Sequence, residues 1–213
     1  MRDPGSRRLV RRVRVRDRRI ALSFDDGPAD STEPILDLLS NRGAAATFFV
    51  VGEHVPGRED VLLRTVREGH EVGNHTWSHR RASHVSDDEL LDELRRTNEV
   101  VAAVTGRAPA LMRPPFFDDA ARAARLGSRV GLERTALGYF GYDWEWTSPE
   151  RIARHVVQEA RPGAIIVLHD GCARGAMRGS ASRAPTVAAL GLVLPELERR
   201  GFEIVTVSEL LAR

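Results

Sequence analysis

Ile20-Ala21-Leu22-Ser23-Phe24-Asp25-Asp26-Gly27-Pro28 reads as a strand that runs out into a turn, with two carboxylates at its exit. The apolar run Ile20 to Phe24 has the length and composition of a buried strand. Asp-Asp-Gly-Pro consists entirely of turn residues, and taken alone it is an ordinary surface turn. Adjacent strand residues point to opposite faces, so one carboxylate can bind a metal while its neighbour meets a different part of a pocket. Which carboxylate does which is not decided by the segment itself.

Outward from this segment, strand-like runs recur at Thr47 to Val51, Glu71 to Asn74, Leu111 to Arg113, Ala164 to His169 and Glu203 to Val207. Helical spacing of apolar residues fills the intervals Glu33 to Arg42 and Glu59 to Glu68, with Gly43 and Gly69 placed as terminators. Ser86 and Glu89 form a capping-box pair ahead of a helix ending at Gly106. Pro149 to Ala160 and Pro185 to Arg200 are two further helices. Strands alternating with helices imply an α/β fold around a parallel sheet, and six or so such units suit a closed or nearly closed barrel. In such folds chemistry gathers beyond the C-terminal ends of the strands. The small-residue loop Gly171 to Ser182 is expected to be mobile.

The 213 residues, 42% of them hydrophobic, form one sizeable core and one domain. The longest uncharged apolar run, Ala164 to Leu168, is strand-sized, so no membrane span is expected. One cysteine, Cys172, excludes an internal disulfide framework. The net charge of +2 hides a local excess: Arg2, Arg7, Arg8, Arg11, Arg12, Arg14, Arg16, Arg18 and Arg19 crowd the start, and the chain has no lysine. Leu9, Val10, Val13, Val15 and Ile20 alternate with those arginines as in a solvated edge strand, so residues 1–19 read as a basic extension or edge strand ahead of a domain at 20–213. Nucleic acid is not an expected partner. No apolar stretch follows the basic start as an export signal requires, so a cytoplasmic, monomeric protein is expected.

Four further constellations stand where strand patterns end. His75 and His79, four residues apart in Gly73-Asn74-His75-Thr76-Trp77-Ser78-His79, make a metal set with one carboxylate. Two imidazoles and an aspartate leave positions open for water and substrate on zinc, cobalt, nickel or iron. His169 at the end of the most apolar strand is a natural proton-transfer group. Arg113, followed by Pro114-Pro115-Phe116, can hold a carboxylate beside a stiff rim. Asp143 can orient His169, next to Trp144 as a pocket wall. Each has a bland reading alone; their occurrence in order, each at a strand end, does not.

Over about Ile20 to Leu211 the sequence resembles the polysaccharide deacetylases, the NodB-homology family also called carbohydrate esterase family four. The resemblance implies a distorted, incomplete (β/α) barrel of about seven strands, and a hydrolase that removes N-acetyl groups from N-acetylglucosamine-containing glycans. It implies one divalent ion, zinc first, with cobalt, nickel or iron as alternatives, held by Asp26, His75 and His79. Asp25 would be the general base, Arg113 its support, His169 the general acid and Asp143 its partner. Trp144 and Leu168 would enclose the acetyl methyl, and Phe116, with Pro115 beside it, would line the oxyanion side. An O-acetyl ester on xylan or another glycan, or a non-sugar amide, is the alternative substrate. The sequence departs from the family pattern at Phe140, where an aspartate is usual, and at Phe117, where glycine is usual. His54, His70, His84 and His155 match no catalytic motif and are expected on the surface or in packing, and core packing is expected for most of Tyr139, Tyr142, Trp77 and Trp146.

Overall fold

The computed structural model describes residues 9–172 and 182–212. The chain runs β1 (Leu9–Val10), β2 (Arg19–Asp25), α1 (Thr32–Ser40), β3 (Thr47–Val50), α2 (Glu59–Arg67), β4 (Glu71–Asn74), α3 (Asp87–Thr105) and β5 (Leu111–Met112). It continues through α4 (Ala120–Gly127), β6 (Arg134–Ala136), β7 (Tyr139–Phe140), α5 (Pro149–Glu159), β8 (Ile165–His169), α6 (Ala184–Arg199), β9 (Glu203–Val205) and α7 (Val207–Leu211).

The pairings among these strands are parallel, as helices returning the chain across a sheet require, and one isolated antiparallel bridge joins Arg12 to Ala164. The order is β1-β6-β5-β4-β3-β2-β8-β7, with β9 on β2. β6 and β7 lie near opposite ends of that order, yet only Leu137 and Gly138 separate them in the chain. A flat sheet cannot satisfy both facts, so the sheet curls into an incomplete barrel. Its small parts explain themselves. β9 pairs with Arg19 to Ala21 of β2, below the point where β3 begins its own pairing at Ser23. β1 lies on β6, and Val13 N–H then reaches the Gly163 carbonyl at 2.9 Å, so the segment that begins as β1 crosses toward the foot of β8.

Alternation along β2 gives the sheet two unlike faces. Ile20, Leu22 and Phe24 join the helix-covered core with Ile35 and Leu39 of α1, Ile152 and Val156 of α5, and Leu190 and Leu197 of α6. Ala21 faces the other way, in a cluster with Phe49, Leu111, Ala136, Ile165 and Val205, residues from six strands that meet only because the sheet curls. Full burial of such side chains contributes roughly 1.5–3 kcal/mol each. The inner face turns polar toward the strand exits, at Ser23 and Asp25, and there the site lies.

Several elements went unforeseen in the sequence. β6 and β7 span three and two residues, too short for a period. The expected strand Glu203 to Val207 stops at Val205, because Thr206 and Glu209 cap α7 reciprocally and start a helix. The part of the Gly171 to Ser182 loop at 173–181 lies outside the described residues. Among the described residues no helix is long and apolar enough to cross a membrane.

Candidate active site

Asp25 ends β2 in register with Phe49 on one side and His169 on the other. Its Oδ1 accepts a hydrogen bond from Arg113 Nη1 at 2.6 Å. Arg113 follows β5 and is fully buried, with its other donors on Ser23 Oγ at 3.0 Å, the Ala136 carbonyl at 2.8 Å and the Leu137 carbonyl at 3.3 Å. Burial pulls this guanidinium below its ordinary range while the Asp25 carboxylate pulls it back up. The strand exit, two carbonyls and one arginine thus fix where Asp25 points.

Asp26 would continue the alternation of β2, but its φ of 76° places it in the left-handed region. That conformation is uncommon outside glycine, and at a pocket it marks geometry imposed by the surroundings. His54 Nδ1 donates to the Asp26 carbonyl at 2.8 Å and holds the turned backbone. The carboxylate Oδ1 lies 3.4 Å from His75 Nε2 and 3.2 Å from His79 Nε2. Burial opposes ionisation of Asp26, yet the two histidines hold its carboxyl well below the usual range.

The histidine loop is built from β4 and tied to α3. Asn74 Nδ2 donates to the Leu94 carbonyl and to Asn98 Oδ1, both at 2.8 Å, and its Oδ1 accepts from Thr76 N–H at 2.8 Å. Thr76 and His79 both have positive φ, 66° and 57°. Glu93 of α3 accepts from the Ser78 amide at 2.7 Å and from its hydroxyl at 2.6 Å. Trp77 packs its ring where a side chain on Gly52 would stand, a packing role.

His75 Nδ1 lies 2.7 Å from the Arg113 carbonyl, which only accepts. Neutral His75 therefore carries its proton on Nδ1 and aims a bare lone pair from Nε2 at a carboxylate oxygen. A proton shared with Asp26, or a metal ion in the same place, satisfies these facing lone pairs. One donor atom from each of Asp26, His75 and His79 lies within 4.8 Å of the others, and all three residues are buried. Two ligands about 2.1 Å from one ion at tetrahedral angles stand about 3.4 Å apart, so the spacing suits a first-row divalent ion with a position left open. The residues present fit a metal.

Opposite Asp25, His169 Nδ1 lies 2.8 Å from Asp143 Oδ1, and Asp143 Oδ2 accepts from the His169 amide and the Thr186 hydroxyl, each at 2.8 Å. Burial works against the charged imidazole, but the Asp143 carboxylate outweighs it and lifts His169 to about 9. Thr186, in the first turn of α6, was not anticipated; a threonine at helical spacing is common, and its partner lies 43 residues away.

These groups share a cavity of about 800 Å³ lined by Asp25, Asp26, His75, His79 and His169, by the rings of Phe116, Phe117, Phe140 and Trp144, and by Arg80, Arg81, His84 and Arg183. The two departures from the family pattern prove to be one feature: Phe117 and Phe140 stack with centroids 4.6 Å apart. Phe140 meets Trp144 edge-on at 5.1 Å, and Trp144 meets His169 at 5.2 Å. Phe116 and Phe117 hold φ of 58° and 56°, costly for aromatic residues. The expectation for Leu168 fails on strand parity. It stands one residue before His169, on the opposite face, within the helix-covered core, and does not line the cavity. Val167, opposite Ser23, is also fully buried. Pro115 is likewise buried outside the lining. His84, expected on the surface or in packing, lines the cavity, whereas His70 Nδ1 accepts from Ala46 N–H at 3.2 Å and is structural.

A curled parallel sheet with an Asp-His-His donor set, a carboxylate locked on arginine and a carboxylate-supported histidine at its strand exits defines a hydrolase-type site. Residues 12–134 match the polysaccharide deacetylase family profile. The chain is 37% identical over 197 residues to a peptidoglycan-N-acetylglucosamine deacetylase of Bacillus cereus, covering 90% of this chain and 87% of that one. It is 36% identical over 198 residues to a chitooligosaccharide deacetylase of a Bradyrhizobium species, covering 91% and 90%. A peptidoglycan N-acetylglucosamine deacetylase solved with 4-naphthalen-1-yl-N-oxidanyl-benzamide superposes with a TM-score of 0.85 at 28% identity, over 95% of this chain and 92% of that chain. The chain belongs to the polysaccharide deacetylase family.

Proposed function

We propose that the protein is a zinc-dependent hydrolase that removes the acetyl group from N-acetylglucosamine units of a glycan, releasing acetate and leaving a free amine. The observation that carries this reading is the convergence of the Asp26-His75-His79 donor set, the Asp25-Arg113 pair and the His169-Asp143 pair in one cavity. Amide hydrolysis needs an activated water, a polarised carbonyl and a proton for the departing amine. Bound at Asp26, His75 and His79, the ion supplies acidity to the attacking water and polarises the acetyl carbonyl.

The chain's own residues do the rest. Asp25, held by Arg113, accepts the proton of the attacking water. His169 is protonated at neutral pH because Asp143 supports its charge, so it gives a proton to the amine nitrogen as the carbon-nitrogen bond breaks. Trp144, with Phe140 edge-on to it and Phe117 stacked on Phe140, walls the acetyl end from solvent, where charge interactions strengthen. The test is acetate release from N-acetylated chito-oligosaccharides by chelator-treated protein, before and after zinc or cobalt is added back. Release restored by metal is expected; release undiminished by complete metal removal would sink the metal dependence.

A further inference from the structure

The reaction leaves the cationic mouth of the cavity unexplained. Arg80 and Arg81 follow directly on His79, His84 stands five residues beyond it, and all three line the cavity. The acidic side chains of the lining are Asp25 and Asp26, and both are committed, one to Arg113 and the other to the donor set. A ligand entering past the mouth therefore meets two guanidinium groups whose carboxylate partners, Glu89 and Asp118, stand outside the lining.

The two arginines are held in place yet not consumed. Arg81 Cζ lies 3.9 Å above the Phe116 ring centroid, while the other neighbour of that ring is His79, at 4.7 Å. Phe116 is itself 43% exposed. Its ring is thus a platform joining the donor set to a guanidinium. Arg81 pairs loosely with Asp118 Oδ1 at 3.9 Å, beyond hydrogen-bond distance, while Asp118 Oδ2 accepts from the Ser83 amide at 2.7 Å. Arg80 makes one contact at 3.2 Å to Glu89, a residue already serving the Ser86 cap. The arginine side chains remain 48% and 42% exposed. A guanidinium presents five donors in a planar fork that matches a carboxylate, so most of this capacity is open to a ligand.

We propose that Arg80 and Arg81 form an anion-binding arm, with Phe116 as its platform, that selects N-acetylated glycans carrying a carboxylate on or beside the sugar being deacetylated. The inference rests on the deacetylase reading and specifies its substrate class. A neutral, chitin-like glycan is the competing outcome.

The test compares one N-acetylated glycan strand carrying free carboxylates with the same strand after its carboxylates are converted to amides. With zinc-loaded wild-type protein, kcat/KM for acetate release is expected to favour the carboxylated strand by tenfold or more at low ionic strength, and salt should erode that preference. In Arg80→Gln/Arg81→Gln the preference should collapse toward unity. Arg80→Lys/Arg81→Lys should retain part of it, since charge survives while the fork is lost. Equal kcat/KM for the two strands in the wild type, or a preference that survives the glutamine substitutions, overturns the arm. Dissociation constants of the two strands for zinc-loaded Asp25→Asn, measured by titration calorimetry, keep the tests separate. Absence of acetate from both strands defeats the deacetylase reading, and equal dissociation constants defeat the arm.

Discussion

Asp25 and Asp26 are neighbours with different partners, and the backbone makes them so. Asp25 keeps strand geometry and meets Arg113; Asp26 is turned by a φ of 76° and meets two imidazoles. Asp25→Asn is expected to keep full zinc stoichiometry while kcat drops by roughly 10²–10⁴, the usual worth of a general base. His79→Ala should instead lose zinc, read as metal per protein after dialysis. Asp143→Asn tests the acid. Since His169 sits at about 9 with burial opposing and Asp143 raising it, the fall of kcat/KM at high pH should move toward lower pH in that variant. The same shift is a stability statement. A histidine raised from 6.5 contributes stability that is complete below 6.5 and lost as pH rises through about 9, and a urea titration against pH would show it. A bound divalent ion adds positive charge nearby and brings that window down. The chemistry-bearing residues were legible because aspartate, histidine and arginine stood at strand ends in order. Thr186 and Asn74 were not, because hydroxyls and amides occur everywhere, and the role of His54 was not, because its partner is a backbone carbonyl 28 residues away. Leu168 was misread because it neighbours His169, and in a strand one residue's step reverses the face.

At the scale of elements, the site depends on two close backbone approaches where β2 and β8 run out side by side. A Cβ on Gly27 would stand 2.0 Å from Asp170 Oδ2, and one on Gly171 would stand 2.1 Å from the Asp26 carbonyl. Gly171 is not needed for a positive φ; it is needed for room. Gly171→Ala should push the Asp26 backbone away and weaken zinc affinity tenfold or more, with unfolding free energy lowered by about 1–3 kcal/mol, the common range for overpacking. Zinc titration separates the two effects. If affinity stays within twofold of wild type, the Asp26 turn is more compliant than its packing implies. Glycine at this position carried no readable signal, since the contact joins residues 145 apart in the chain, whereas Ser86 and Glu89 announced α3 because a capping box is local. Locality also explains the unforeseen β6 and β7. Each is defined by the strand it pairs with, and the few residues of each form no pattern of their own.

For the whole molecule, the decisive fact is that one short segment, 134–140, serves both sides of the curl. Its first part pairs with β5 and its second with β8, so the two strands diverge below it, and the segment running from β1 to Val15 crosses that divergence. Val10, Val13 and Val15 pack against the inner cluster, while Arg11, Arg12, Arg14 and Arg16 face solvent. The alternation therefore has a structural cause, and the arginines are its solvent side. Removing residues 1–15 should expose the foot of the inner cluster and take away the bonds from Leu137 N–H to the Val10 carbonyl at 2.7 Å and from Val13 N–H to the Gly163 carbonyl at 2.9 Å. The unfolding free energy should fall by on the order of 3 kcal/mol, a discounted value for partly buried valines. The urea slope should change little, because the rest of the sheet stays cooperative. Zinc stoichiometry measured well below the melting temperature should be preserved, because no residue of 9–15 belongs to the donor set or lines the cavity. An unchanged urea midpoint would mean that the segment is a tail lying on the sheet. Loss of zinc without loss of stability would mean that the two ends of the curl are coupled, and that its closure holds Arg113, which bonds the carbonyls of Ala136 and Leu137 within that same segment.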